Sequence, residues 1–154
     1  MENLYLREAK LQDMELLFNW ANEPSVRLNS VNSHEITWEE HSIWYRGRLE
    51  SKDCEIYLLM YENTPVGQIR LDCREDGRWI SYSVDQKHRG QGFGGLLLRL
   101  IEEKIKENRT ELQTLWAVVK KDNPVSQKIF IDHSYELKGE VEGNHELLLY
   151  RKHI

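Results

Sequence analysis

Hydrophobic positions along the chain switch between a period of two and a helical period, and the switches predict a definite order of elements. Leu4 to Arg7 alternates as a short first strand. Leu11, Met14, Leu17, Phe18 and Ala21 then recur at helical spacing and predict a helix over Lys10 to Asn22, with Pro24 as its stop signal. Ser25 to Ile36 is polar and reads as irregular. Thr37-Trp38-Glu39-Glu40 has the form of a capping box and opens a second helix reaching about Leu49. Cys54 to Tyr61 and Val66 to Cys73 read as two strands of a hairpin joined by a turn at Glu62 to Pro65, and Asp76-Gly77 turns the chain into a further strand, Trp79 to Val84.

A glycine-rich stretch follows, then a helix over Leu96 to Lys106 with Leu97, Ile101 and Ile105 on one face. Leu112 to Val119 is almost wholly apolar, as a strand covered on both faces is. Pro124 to Asp132 reads as a helix with proline in its first turn. Strands near Leu137 to Val141 and Glu146 to Arg151 close the chain as a hairpin around Glu142-Gly143-Asn144. The order β-α-α-β-β-β-α-β-α-β-β is α+β. Its central strand–helix–strand crossover implies that Trp79–Val84 and Leu112–Val119 lie parallel.

Composition narrows the function classes. The 154 residues suit one domain over 1–154, with no repeat, linker or low-complexity tract. A formal net charge of −5 supplies no broad basic face, so nucleic acid is not the expected partner. Cys54 and Cys73 stand in strand segments without close Cys or His spacing and read as thiols rather than as a disulfide or a metal pair. The first residues are charged throughout, and no apolar run approaches a membrane span. The expectation is a cytoplasmic protein without a membrane partner.

The glycine-rich stretch changes the picture most. Val84-Asp85-Gln86-Lys87-His88-Arg89-Gly90-Gln91-Gly92-Phe93-Gly94-Gly95 leaves a strand and enters a helix. Glycines let the backbone approach a ligand closely, and the free N–H groups and dipole of a helix start attract an anion, so a pyrophosphate fits there. Gly90, Gly92 and Gly95 also satisfy the spacing of the dinucleotide fingerprint. That fingerprint follows the first strand of a doubly wound domain, whereas here ~90 residues precede it. No Gly-Lys-Ser/Thr is present for a Walker loop.

Arg89-x-x-Gly92-x-Gly94 resembles the acetyl-CoA signature of the GNAT (GCN5-related N-acetyltransferase) superfamily, and the element order over nearly the whole chain is similar to that fold's. Asn123-Pro124-Val125-Ser126-Gln127-Lys128-Ile129-Phe130-Ile131-Asp132-His133-Ser134-Tyr135 resembles the family's later motif, with Ser134-Tyr135 where Gly-Phe is usual. The resemblance implies a mixed, mostly antiparallel sheet of about seven strands with a splayed parallel central pair, flanked by about four helices. It implies acetyl-CoA as co-substrate, held by Val84, Arg89, Gly90, Gln91, Gly92, Phe93, Gly94, Gly95, Asn123 and Phe130, with the backbone N–H of Val84 donating to the thioester. It also exposes two departures. The family often carries a Glu early on the fourth strand and a Tyr on the later helix, and the matching positions here are Trp79 and Phe130.

Acetylating an amine requires a placed thioester, a stabilised oxyanion and a neutral nucleophile. His41, in the second helix beside Glu39 and Glu40, is a candidate base, with Asp72, Tyr82 or a water chain as alternatives. The Asn-, Ser- and Trp-rich segment from Pro24 to Trp44 is similar to acetyltransferases acting on nucleotide-linked amino sugars. A small-molecule amine is the expected acceptor, for a monomer or homodimer. A protein or peptide N-terminus, or a non-catalytic acetyl-CoA-binding role, is the alternative.

Overall fold

In the computed structural model, which describes residues 3–107 and 111–154, seven strands form one sheet. The strands are β1 (Leu4–Glu8), β2 (Cys54–Tyr61), β3 (Thr64–Arg74), β4 (Gly77–Val84), β5 (Thr114–Lys120), β6 (Glu136–Val141) and β7 (Asn144–His153). Their order across the sheet is β1-β2-β3-β4-β5-β7-β6. Every pair is antiparallel except β4 and β5, the parallel pair the crossover predicts. The helices are α1 (Met14–Ala21), α2 (Pro24–Leu28), α3 (Trp38–Glu50), α4 (Phe93–Glu107) and α5 (Pro124–Asp132). Among the described residues no helix is long and apolar enough to cross a membrane.

The departures from the sequence reading are local. The first predicted helix splits into a 3-10 turn at Leu11–Asp13 and α1. Pro24 follows the end of α1 at Ala21, as expected, but it also starts a further helix: Glu23 accepts from the Ser25 N–H, Pro24 takes the first turn, and α2 forms within the stretch expected to be irregular. Helix α4 begins at Phe93, inside the glycine stretch, rather than at Leu96. Strand β5 begins at Thr114. Leu112, read as its first residue, is exposed because apolar character alone does not make a residue part of a ladder.

Two cores sit on opposite faces of the sheet. On one face Ile69, Leu71 and Ile80 pack with Leu97, Leu98 and Ile101 of α4 and with Phe130 of α5. On the other, Ile56, Leu58 and Met60 of β2 pack with Met14 and Leu17 of α1 and Tyr45 of α3. The Tyr45 hydroxyl donates to the Lys10 carbonyl at 2.6 Å and ties α3 to the start of α1. Residues opposite one another in antiparallel strands share a face, so Arg70, opposite Ile56 and Ser81, points to the α1–α3 side. Helices α1 and α3 cover β2 on that side and leave the β3–β4 surface beside them open.

The parallel pair is joined only at Arg78–Leu115 and Trp79–Trp116. Beyond this neck the strands diverge. Trp79 and Trp116 stack there with centroids 5.6 Å apart, and their indole N–H groups both bond Asp76, at its side chain and its carbonyl. Gly77, at φ +135°, brings the backbone against β5, where an added Cβ would lie 2.4 Å from the Thr114 carbonyl oxygen. Gly77→Ala should therefore combine backbone strain with a clash at the neck. It is expected to lower stability by about 1–3 kcal/mol, read by urea unfolding. A variant as stable as wild type would mean that the neck can open without cost.

Candidate active site

The splay between β4 and β5 opens into a cleft of about 1420 Å³. Its walls come from the α1–α3 segment, the open β3–β4 surface, the glycine loop and the start of α5.

Strand alternation fixes which backbone groups face the splay. The Asp85 N–H donates to the Val66 carbonyl of β3 at 2.8 Å. In a strand the next residue points the other way, so the Val84 N–H is turned toward the splay, and two residues back so is that of Tyr82. Val84 therefore ends β4 with its N–H toward the splay. Tyr82 joins it for a reason the sequence could carry only through register.

At the outer end of the splay the glycine loop turns through Gly90 at φ +78° and Gly92 at φ +83°. A Cβ at either would meet nothing within 4 Å, so these glycines answer to backbone conformation and leave open space beside them. Gly94 and Gly95 have a different origin. A Cβ on Gly94 would come within 3.0 Å of Ile129, and one on Gly95 within 2.6 Å of His133, so both let α4 pack tightly on α5. No acceptor meets the N–H groups of Gly92 to Gly95 among the described residues, as expected of a first helical turn. They form an anion-attracting terminus, and Gln91 and Phe93 lie within the same turn, Phe93 with its ring buried.

Arg89, at the cleft, is bonded within the protein. Its Nε donates to the Val84 carbonyl at 3.1 Å, Nη1 to the Ser25 hydroxyl at 2.7 Å and Nη2 to Glu23 at 2.9 Å. Burial alone would raise the Glu23 carboxyl, but bonds from Ser25 and Arg89 outweigh it and hold the group at about 2. The Arg89 charge is thus matched, and the side chain clamps the glycine loop to α2.

Asn123 caps α5, its side chain accepting from the Ser126 N–H at 3.3 Å. Phe130 is 2% exposed, edge-on to Tyr82 and stacked on Tyr150. It borders the cleft from the core side. The Tyr82 hydroxyl lies 3.0 Å from the Ser126 hydroxyl, spanning from β4 to α5, and burial raises its pKa.

His41 is 3% exposed, stacked on Tyr45 and ringed by Phe18, Trp38 and Trp44. Its Nε2 is 2.9 Å from the Met14 carbonyl, so that nitrogen carries the proton and donates it. Burial pushes the imidazole below its ordinary 6.5, and the bond to Met14 only partly opposes this. The geometry is that of a residue tying α3 to α1 at the edge of the cleft. Asp72, another candidate base, accepts from Arg48 at 3.1 Å and from Arg70 at 3.0 Å. The polar segment after α2 is organised by its own side chains. Asn22 bonds the Ile36 backbone twice, and Arg27 donates to the carbonyls of Ala21, Asn32 and His34.

Comparison with known proteins agrees with this geometry. A family model described as an acetyltransferase (GNAT) domain matches residues 3–132. No curated protein matches the chain. Among solved structures, a domain from Methanocaldococcus jannaschii DSM 2661 superposes with a TM-score of 0.84 at 18% identity, over 100% of both chains. The aminoglycoside acetyltransferase AAC(6')-Ib, in complex with ribostamycin and coenzyme A, gives 0.82 at 17% identity, over 97% of this chain and 92% of the other. A spermidine N-acetyltransferase from Vibrio cholerae, in complex with CoA and spermine, gives 0.82 at 13% identity, over 98% and 94%. At these identities the likeness is one of fold.

The depressed His41 pKa has a consequence with a definite sign. The unfolded chain takes up a proton near pH 6.5 that the folded imidazole resists. The stability His41 contributes is therefore complete above about pH 6.5 and is lost as the pH falls toward its lower folded pKa. Urea unfolding between pH 7.5 and 5 should show this decline, and His41→Gln should flatten it by up to one proton's worth of slope. An unchanged slope in the variant would place the ring in solvent.

Proposed function

Because the chain belongs to the GNAT acetyltransferase family, we propose that residues 1–154 form one acetyltransferase domain that moves an acetyl group from acetyl-CoA to the primary amine of a small molecule. The observation that carries this reading is a splay whose β4 edge offers unpaired N–H groups and whose outer end meets the glycine-rich start of α4. Acetyl-CoA has matching parts in the same order: an anionic pyrophosphate and an extended amide-bearing arm ending in a thioester.

In this reading the N–H groups of Gly92, Phe93, Gly94 and Gly95 bind the pyrophosphate, with Gly90 and Gln91 bordering it. Arg89 acts by bracing the loop against Glu23. The amide-bearing arm lies between β4 and β5, and Asn123 and Phe130 flank it from α5. The thioester supplies the activated acyl group. The N–H groups of Val84 and Tyr82 donate to its carbonyl and to the arm, stabilising negative charge on oxygen as the amine attacks; the C–N bond forms, the C–S bond breaks, and CoA leaves as a thiolate that takes up a proton from water.

The amine approaches from the open β3–β4 surface, between Ser81 and Ser83 of β4 and the α3 edge. With Asp72 held by two arginines and the His41 Nε2 held by Met14, the amine loses its proton to water in the cleft rather than to a dedicated carboxylate. His41 then positions the acceptor wall. Asn29, Ser30, Trp44 and Trp79 at the cleft offer short polar groups and aromatic faces, the mixture that holds a sugar ring, and a nucleotide-linked amino sugar is the finer candidate. The complexes of two structural neighbours with ribostamycin and with spermine support a small amine over a protein N-terminus.

Acetyl-CoA should raise the melting temperature, and Gly92→Asp should abolish that rise by setting a carboxylate against the pyrophosphate site. Gly143→Asp is the matched control. Gly143 has the same φ of +83° with open space around it, but lies in the β6–β7 turn. It should cost stability and keep the acetyl-CoA shift. Loss of the shift in both variants, or in neither, would contradict the assignment of the loop.

A further inference from the structure

The chain carries a net charge of −5, yet the open acceptor wall is positive. The arginines around the cleft divide by what they bond. Arg27 is spent on backbone carbonyls, Arg89 on Glu23 and Ser25, and Arg48, beside the cleft, on Asp72, while Arg99 lies apart on α4 and pairs with Glu103. On the β3–β4 wall two remain. Arg70 gives only its Nε to Asp72, at 3.0 Å, and lies over the Trp44 ring at 5.1 Å. Among the described residues neither of its Nη groups has a protein acceptor. Arg74 has no hydrogen bond or ion pair among the described residues and rests over the Trp79 ring at 4.7 Å. Both side chains line the cleft.

These two residues share one face of β3, four positions apart, which is about 13 Å along the strand. Arg70 stands opposite Ser81 and is therefore on the order of 10 Å from Val84. Asp72 between them is neutralised from both sides. An aromatic ring beneath each guanidinium holds it in place while leaving planar N–H pairs exposed, the arrangement suited to a carboxylate or phosphate. A polycation would meet like charge here.

We infer that the acceptor is an anionic amine, one carrying a carboxylate or phosphate on the order of 10 Å or less from its nitrogen, with Arg70 as the principal anchor and Arg74 extending the site for a larger anion. This rests on the acetyltransferase reading and narrows it. The chemistry of the wall excludes polyamines and polycationic aminosugars as preferred substrates.

The test is acetyl-CoA-dependent thiol release with matched acceptors: L-serine against ethanolamine for the carboxylate, glucosamine 6-phosphate against glucosamine for the phosphate, and spermidine and kanamycin as polycations. At least one anionic member should exceed its neutral partner tenfold or more in kcat/KM, and the pair that does so identifies the anion. The preference should shrink as salt is raised. Arg70→Gln should raise KM for that anionic amine on the order of ten- to a hundredfold, as loss of a charged hydrogen-bonded contact does. Arg74→Gln should act in the same direction more weakly. Lys128→Gln, which removes an exposed charge on α5, should leave the preference intact. An acetyl-CoA melting shift retained by Arg70→Gln would establish that the variant is folded and binds the co-substrate. If Arg70→Gln does not fold, Arg74→Gln and the salt dependence decide the matter. Turnover of spermidine, kanamycin or the neutral partners equal to or above that of the anionic amines would overturn this inference and leave the acetyltransferase reading standing. Absence of amine-dependent thiol release with every one of these acceptors would remove both.

Discussion

β4 and β5 share a register at only two residue pairs, and the function proposed here depends on that short neck. Two parallel strands that part midway leave backbone donors and acceptors without partners, and such groups must be satisfied by something else. Trp79 and Trp116 hold the neck closed by stacking and by bonding the same Asp76, while Gly77 lets the backbones meet. Past it, the N–H groups of Tyr82 and Val84 face the cleft. The splay is thus an edge held open inside a sheet, which in the proposed reading a ligand completes rather than protein.

The two faces of the sheet then divide the labour. On one, α4 and α5 pack against an apolar core that positions the glycine loop at the end of the splay. On the other, α1 and α3 shield β2 but stop short of β3 and β4, which leaves polar side chains of those strands facing the cleft. In the proposed reading the co-substrate enters in the plane of the sheet and the acceptor from above it. Arg89 couples the halves by pinning the loop between the Val84 carbonyl and α2.

Much of this was legible in the sequence because it is periodic or punctuated. The strand–glycine–helix passage at Val84 to Gly95 pointed to the loop that the proposed reading uses, and the almost wholly apolar run Leu112 to Val119 pointed to the central strand, whose β5 begins at Thr114. What escaped depended on pairing at long range. Nothing local shows that Arg89 meets Glu23 across 66 positions. His41 has the residue type of a base, and only its burial against Met14 and four aromatic rings gives it a structural bond. Pro24 does lie past the end of α1, but the same proline also opens α2 under the Glu23 cap, a role that glutamate seldom signals in sequence. Tyr82 became a backbone donor candidate only when the β3–β4 register fixed its direction, and Arg70 and Arg74 emerged only after the other arginines were seen to be bonded.

The most direct measurement is backbone amide hydrogen exchange, resolved by residue, with and without acetyl-CoA. If the arm completes the sheet, the Tyr82 and Val84 amides and those of Gly92 to Gly95 should slow markedly. Ser81 and Ser83, whose N–H groups the alternation turns toward β3, should change little. Protection confined to other surfaces, or binding of acetyl-CoA that leaves Tyr82 and Val84 exchanging at their free rates, would contradict the account.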